Sequence, residues 1–66
     1  MIFWKSSKTE TGPRKLTVLT VDDSSTILIV LGKILSELGY AVLQASNGLE
    51  GVQMAQAQTP DLIIMD

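Results

Sequence analysis

The sequence predicts an α/β domain with a parallel sheet, its elements running in the order β-α-β-α-β. Three observations lead there. Three short segments are rich in apolar and β-branched residues: "KLTVLTVDD" at 15–23, "YAVLQAS" at 40–46 and "DLIIMD" at 61–66. The segments between them carry helical signals. Strands that alternate with helices imply right-handed crossovers and parallel neighbours.

Each element has its own justification. Residues 1–14, "MIFWKSSKTETGPR", read as a flexible N-terminal tail, polar through the middle and closed by Gly12-Pro13. The alternative is that Phe3 and Trp4 dock on a partner or a neighbouring chain. In the first strand Leu16, Val18, Leu19 and Val21 are apolar with threonines between them. The run is too continuous for a half-exposed strand and suits one covered on both faces. "SSTILIVLGKILSELG" is a helix, capped by Ser24 or Ser25 and stopped by Gly39. At about 100° per residue, Ile27, Val30, Leu31, Ile34, Leu35 and Leu38 share one face, the expected core stripe. Leu28 and Ile29 fall off it. After the second strand, Asn47-Gly48 punctuates the loop into a weaker helix over Leu49 to Gln58, which Pro60 ends. Gly51 inside that helix costs ~1 kcal/mol relative to Ala. The third strand is nearly all apolar and again suits burial on both sides.

Composition narrows the function. The chain has 66 residues, a net charge of −2, and neither cysteine nor histidine. Disulfides, thiolate metal sites and Cys/His zinc patterns are thereby excluded, as is a histidine general base. Four of the five basic residues lie at or before Lys15, and from Leu16 onward only Lys33 opposes six acids. A surface of that sign does not suit nucleic acid, whereas an acidic pocket suits a cation. The longest apolar run, "ILIVL" at 27–31, is far too short to span a membrane, and "MIFW" lacks a signal-peptide core. The expectation is a soluble, cytoplasmic chain.

Asp22, Asp23 and Asp66 stand at the carboxyl ends of the first and third strands. Ligands of open parallel sheets bind beyond those ends, so the three carboxylates converge if the two strands are neighbours. Three carboxylates together need a counter-charge or a shared proton. A hard divalent cation supplies the charge, and with no His or Cys present Mg²⁺ fits better than zinc. A carboxylate beside such an ion suits attack on phosphorus, with an aspartyl phosphate as product. Asp61, after Pro60, reads as a strand-start turn residue and Glu50 as a solvated residue near the positive end of the second helix.

These pieces resemble a known family. The Asp-Asp-Ser after the first strand, "LGY" at 38–40, the A-x-N-G-x-E pattern at 45–50 and "PDLIIMD" at 60–66 are similar to the amino-terminal half of a response-regulator receiver domain. The resemblance covers Lys15 to Asp66. It implies a flavodoxin-like, CheY-like doubly wound sheet cut to strand order 2-1-3. It further implies that Asp66 is the aspartate phosphorylated from a sensor histidine kinase or phosphotransfer domain, that Asp23 is the direct Mg²⁺ ligand, and that Asp22 holds the metal through water. Such a domain is a signalling acceptor and not an enzyme in the usual sense.

A complete receiver is longer. The carbonyl ligand two residues past the acceptor, the switch Ser or Thr and the later Lys of the family lie beyond Asp66, so the segment alone is expected to be a poor phosphoacceptor, whether it is a designed half, a proteolytic fragment or a truncated product. Many family members carry a polar or basic residue where Leu28 stands. Leu28 and Ile29 are therefore expected to form an exposed apolar patch that docks a partner helix. With order 2-1-3 the third strand is an unpaired edge, and the expectation is a two-fold dimer with the third strands near the seam. Two other readings compete. One is an aspartate-nucleophile phosphatase or transferase, and the other a self-associating half-domain without chemistry.

Overall fold

The computed structural model describes residues 2–5 and 15–65. Along the chain come β1 (Ile2–Lys5), β2 (Thr17–Val21), α1 (Ser25–Glu37), β3 (Ala41–Ala45), α2 (Gly48–Gln58) and β4 (Leu62–Met65). The last five are the predicted β-α-β-α-β. Their strands are parallel, with β2 between β3 and β4, which is the truncated doubly wound sheet expected in order 2-1-3. Val18 pairs with Val42 on one side and with Leu62 on the other.

Central placement explains the composition of β2. Val18, Leu19 and Thr20 are fully buried, because both faces are covered. Side chains alternate across a strand. Leu19 and Val21 join Ala45 in a core completed by Leu43, Met54, Ala55, Ile63 and Met65. That is the face under α2. Residues of the other parity face α1. Both methionines in this core, Met54 and Met65, act as the filler expected of them.

Three local devices hold the elements in place. Gly39, at φ 97°, ends α1. Its N–H donates to the Ser36 carbonyl and that of Tyr40 to the Leu35 carbonyl, both at 3.0 Å, the paired bonds of a Schellman cap. Asn47 caps α2 by accepting from the Glu50 N–H at 2.8 Å, and the Glu50 carboxylate reaches back to the Ser46 N–H at 2.6 Å. Glu50, expected to be merely solvated, is thus one arm of a capping box shifted by one residue. Asp61 is buried, its carboxylate accepting from the Thr17 N–H at 2.8 Å while its own N–H donates to the Thr17 carbonyl at 2.9 Å. It clamps the start of β4 to the start of β2.

Two expectations are corrected. The first concerns the packed face of α1. Ile27, Val30, Ile34 and Leu38, expected in the core stripe, are exposed, Leu38 at 68%. Leu28, expected off the stripe, is half-buried with Leu31 and Leu35. At about 100° per residue the half-buried trio spans about 60° of arc, and the exposed four form a separate arc beside it. The apolar arc of α1 is wider than one sheet can cover, so the sheet takes one flank and leaves the other.

The second correction concerns the sheet edge. Ile2–Lys5, expected in a tail, forms β1 and pairs antiparallel with β4, Ile2 opposite Met65 and Lys5 opposite Leu62. Ile, Phe and Trp are strong strand formers, and the outer backbone groups of β4 supply a template. The edge on which the two-fold dimer expectation rested is therefore occupied from within the chain. The rest of the predicted tail and Asp66 lie outside the described residues.

Candidate functional site

A cleft opens at the carboxyl ends of β2 and β4, lined by Val21, Asp22, Asp23, Ser46, Asn47, Gly48 and Met65. Three segments build it. The end of β2 supplies Val21 and the two aspartates. The β3–α2 turn supplies Ser46 to Gly48. Met65, the register partner of Val21, supplies the third side. Val21 and Met65 being neighbours, the carboxyl ends of β2 and β4 lie side by side.

The two described aspartates differ in their surroundings. Asp22 is half-buried and tied down: its N–H donates to the Ala45 carbonyl at 3.1 Å, and its Oδ1 accepts from the Ser24 N–H at 2.9 Å. That second bond is an Asx turn, and it leads directly into the Ser24 cap, whose hydroxyl accepts from the Ile27 N–H at 3.3 Å. Asp23, between the two anchored residues, is exposed and accepts no hydrogen bond among the described residues. One carboxylate is held by the backbone and its neighbour is free for a ligand.

The donor set suits a hard cation. Carboxylate oxygens and backbone carbonyls are what Mg²⁺ prefers, and the chain has no imidazole or thiolate to favour a softer metal. Among the described residues no three metal-ligating side chains come together. Asp22 and Asp23 are the two in the cleft. Asp66, the third expected member, follows Met65 in the chain and lies outside the described residues. Asn47 and Gly48, read from sequence as punctuation, turn out to line the cleft. Their place in the A-x-N-G-x-E pattern was the available signal. Leu28 is half-buried and its carbonyl accepts from Gln44 Nε2 at 2.6 Å. Ile29 is 69% exposed, so of the two expected docking residues the surface belongs to Ile29.

The sequence profile of the response regulator receiver domain matches residues 18–66. The chain belongs to that family. Receivers are signalling domains of two-component systems, and the cleft lies where the family's fold places ligands, past the carboxyl ends of parallel strands. Among curated proteins, a sensor histidine kinase, CheAY of Helicobacter pylori, is 39% identical over 64 residues, covering 94% of this chain. Protein PilH of Pseudomonas aeruginosa is 43% identical and the sporulation initiation phosphotransferase F of Bacillus subtilis 37% identical, each over 49 residues and 74% of this chain. The chain spans 8% of the length of CheAY and 40% of each of the other two. No solved structure gives a significant match. No helix among the described residues is long and apolar enough to cross a membrane.

Proposed function

We propose that this receiver accepts a phosphoryl group on Asp66 from the phosphohistidine of a sensor kinase or phosphotransfer domain, with Mg²⁺ held by Asp23 and Asp66 and, through water, by Asp22. The observation that carries the reading is the convergence of Asp22, Asp23 and Met65 on one cleft at the ends of two adjacent parallel strands. A carboxylate oxygen of Asp66 attacks phosphorus, the P–N bond breaks, and its electron pair returns to the imidazole of the donor. When bound, Mg²⁺ neutralises the phosphoryl oxygens and so lets a carboxylate approach them.

The chain's own residues divide the work. The Asx turn at Asp22 fixes the course of the backbone through Asp23. The shifted capping box at Glu50 holds Ser46 and Asn47, the opposite wall. Docking falls to α1 near the cleft, where Ile29 is exposed, with Leu28 behind it fixing the helix. A cysteine-free chain suits the reducing cytoplasm.

The test uses the intact receiver domain, since the segment to Asp66 alone is expected to accept poorly, with acetyl phosphate as donor and intact mass as readout. Phosphorylation is expected to require Mg²⁺, to vanish in Asp66→Asn and to fall in Asp23→Ala. Labelling that persists in Asp66→Asn, or that ignores Mg²⁺, refutes the assignment. Ile29→Arg is expected to slow transfer from the cognate kinase while leaving acetyl phosphate labelling unchanged. Equal rates from the kinase remove α1 from the docking surface.

A further inference from the structure

Asp61 is buried at the end of β4 opposite the cleft, where the chemistry gives it no task. With Thr20 it is one of two buried polar residues among the described residues. A buried carboxylate is costly unless hydrogen bonds compensate. Here Oδ2 accepts from the Thr17 N–H at 2.8 Å, and the Asp61 N–H donates to the Thr17 carbonyl at 2.9 Å. Both bonds go to one residue of the central strand, one step before the register of Val18 opposite Leu62 begins.

β4 needs a mark of this kind. A strand with one apolar face declares its register by alternation, because a slip of one residue turns every side chain to the other face. β4 has no such pattern. Leu62, Ile63, Ile64 and Met65 are all apolar and all half-buried, so a slip exchanges Leu62 and Ile64 for Ile63 and Met65, side chains of similar bulk. Burial of apolar surface discriminates poorly between the two alignments. The polar residue at the head of the strand does discriminate. A slip of one residue moves its carboxylate about 3.3 Å along β2, out of hydrogen-bond reach of the Thr17 N–H.

The same step is felt at the far end. In the observed register Val21 lies opposite Met65, and Met65 lines the cleft with Asp22 and Asp23. A contact between Mg²⁺ and oxygen is about 2.1 Å long, so a displacement of about 3.3 Å takes a ligand at the end of β4 out of coordination. We propose that Asp61 is a positioning residue: through its paired bonds to Thr17 it fixes the register of β4 on β2, and thereby the level at which the end of β4 meets Asp22 and Asp23. The inference rests on the phosphoacceptor reading for its chemical readout. Asp61 stands at the other end of the strand and acts through the strand alone.

The test uses the intact receiver domain with acetyl phosphate and Mg²⁺. Asp61→Ala is expected to label at least about tenfold more slowly where it is fully folded, since misplacement on the ångström scale costs orders of magnitude. Asp61→Asn keeps an accepting oxygen for the Thr17 N–H and is expected to restore most of the rate. Leu35→Ser, a control destabilised in α1, is expected to label at the wild-type rate. Equal rates for Asp61→Ala and wild type overturn the proposal, as does a loss that Leu35→Ser shares or that Asp61→Asn does not relieve. Should Asp61→Ala fail to fold, Thr17→Pro removes the same donor at the first position of β2, where proline is tolerated. It is expected to show the same slowing, and wild-type labelling in it overturns the proposal. The register also has a readout of its own. NMR cross-peaks between Val21 and Met65 are expected in the wild type and are expected to weaken in Asp61→Ala. Undiminished cross-peaks overturn the proposal whether or not Asp66 is the acceptor. A wild-type domain that takes no label refutes the acceptor reading instead, and weakened cross-peaks in Asp61→Ala then still support the role in register.

Discussion

Gly51 is the buried residue of α2, packed against the central strand, and adding one carbon there has a calculable effect. A Cβ at position 51 meets Val21 Cγ2 at 2.8 Å and Cγ1 at 3.3 Å. Carbon atoms prefer about 3.5–4.0 Å, so the overlap approaches an ångström. Val21 cannot yield easily. It is buried on the central strand, and its β-branched side chain is stiff. Overpacking of this kind costs about 1–3 kcal/mol. Alanine returns about 1 kcal/mol through its better helix propensity. Gly51→Ala is therefore expected to destabilise by about 1 kcal/mol net, a fall in Tm of about 4–8 °C for a domain this size.

The decisive assay is a double-mutant cycle with Val21→Ala, followed by urea denaturation. Once the Val21 methyls are gone the clash is gone, and Gly51→Ala is expected to become stabilising. The coupling should reach about 1–3 kcal/mol. If the two substitutions add within about 0.5 kcal/mol, the close approach does not explain the glycine. Gly32 is the internal control. Its added Cβ meets Gln44 Nε2 at 2.7 Å, but that atom is the tip of an exposed, flexible side chain. Gly32→Ala trades about 1 kcal/mol of propensity against one exposed hydrogen bond of similar worth, so its net effect is expected to stay within about 0.5 kcal/mol.

Other substitutions probe the remaining devices. Asp61→Ala leaves the Thr17 N–H without the carboxylate at 2.8 Å and is expected to cost about 1–3 kcal/mol by urea denaturation; a loss under about 0.5 kcal/mol means the clamp is idle. Glu50→Ala removes the partner of the Ser46 N–H and is expected to cost about 1 kcal/mol, with Glu50→Gln retaining most of it; equal losses for both would assign the effect to something other than the cap. The orientation of α1 is tested by pairing Ile34→Ser with Leu35→Ser. The first lies on the exposed flank and is expected to change stability by less than about 1 kcal/mol, while the second, on the packed flank, costs about 2 kcal/mol or more. The reverse ranking would restore the stripe read from the sequence.

These cases mark how far sequence carries. The three parallel strands were legible because a strand covered on both faces must be apolar at nearly every position, and little else in a short chain looks like that. The convergence of Asp22 and Asp23 with the end of β4 followed from the topology alone. The rotation of α1 was not legible, since Ile27 to Leu31 are five consecutive apolar residues and periodicity cannot say which flank of so wide an arc meets the sheet. β1 was not legible either. A four-residue strand has no period to detect, and its partner lies at the far end of the chain. Glu50 was read as solvated, and Asp61 as no more than a turn residue at a strand start, because a carboxylate that caps backbone N–H groups has the same local signature as one that faces water.

That separation in sequence has a consequence for the order of folding. The parallel pairs join strands separated by a single helix, as in Val21 with Ala45. The β1–β4 ladder joins Ile2 to Met65, nearly the two ends of the described chain. Closing a longer loop costs more conformational entropy, and contacts between distant residues slow folding. The five-element unit therefore assembles first, and β1 docks on a finished β4. Amide hydrogens of β1 should exchange with solvent while those of β2 are still protected, so the strand added last to the sheet is also the first to leave it.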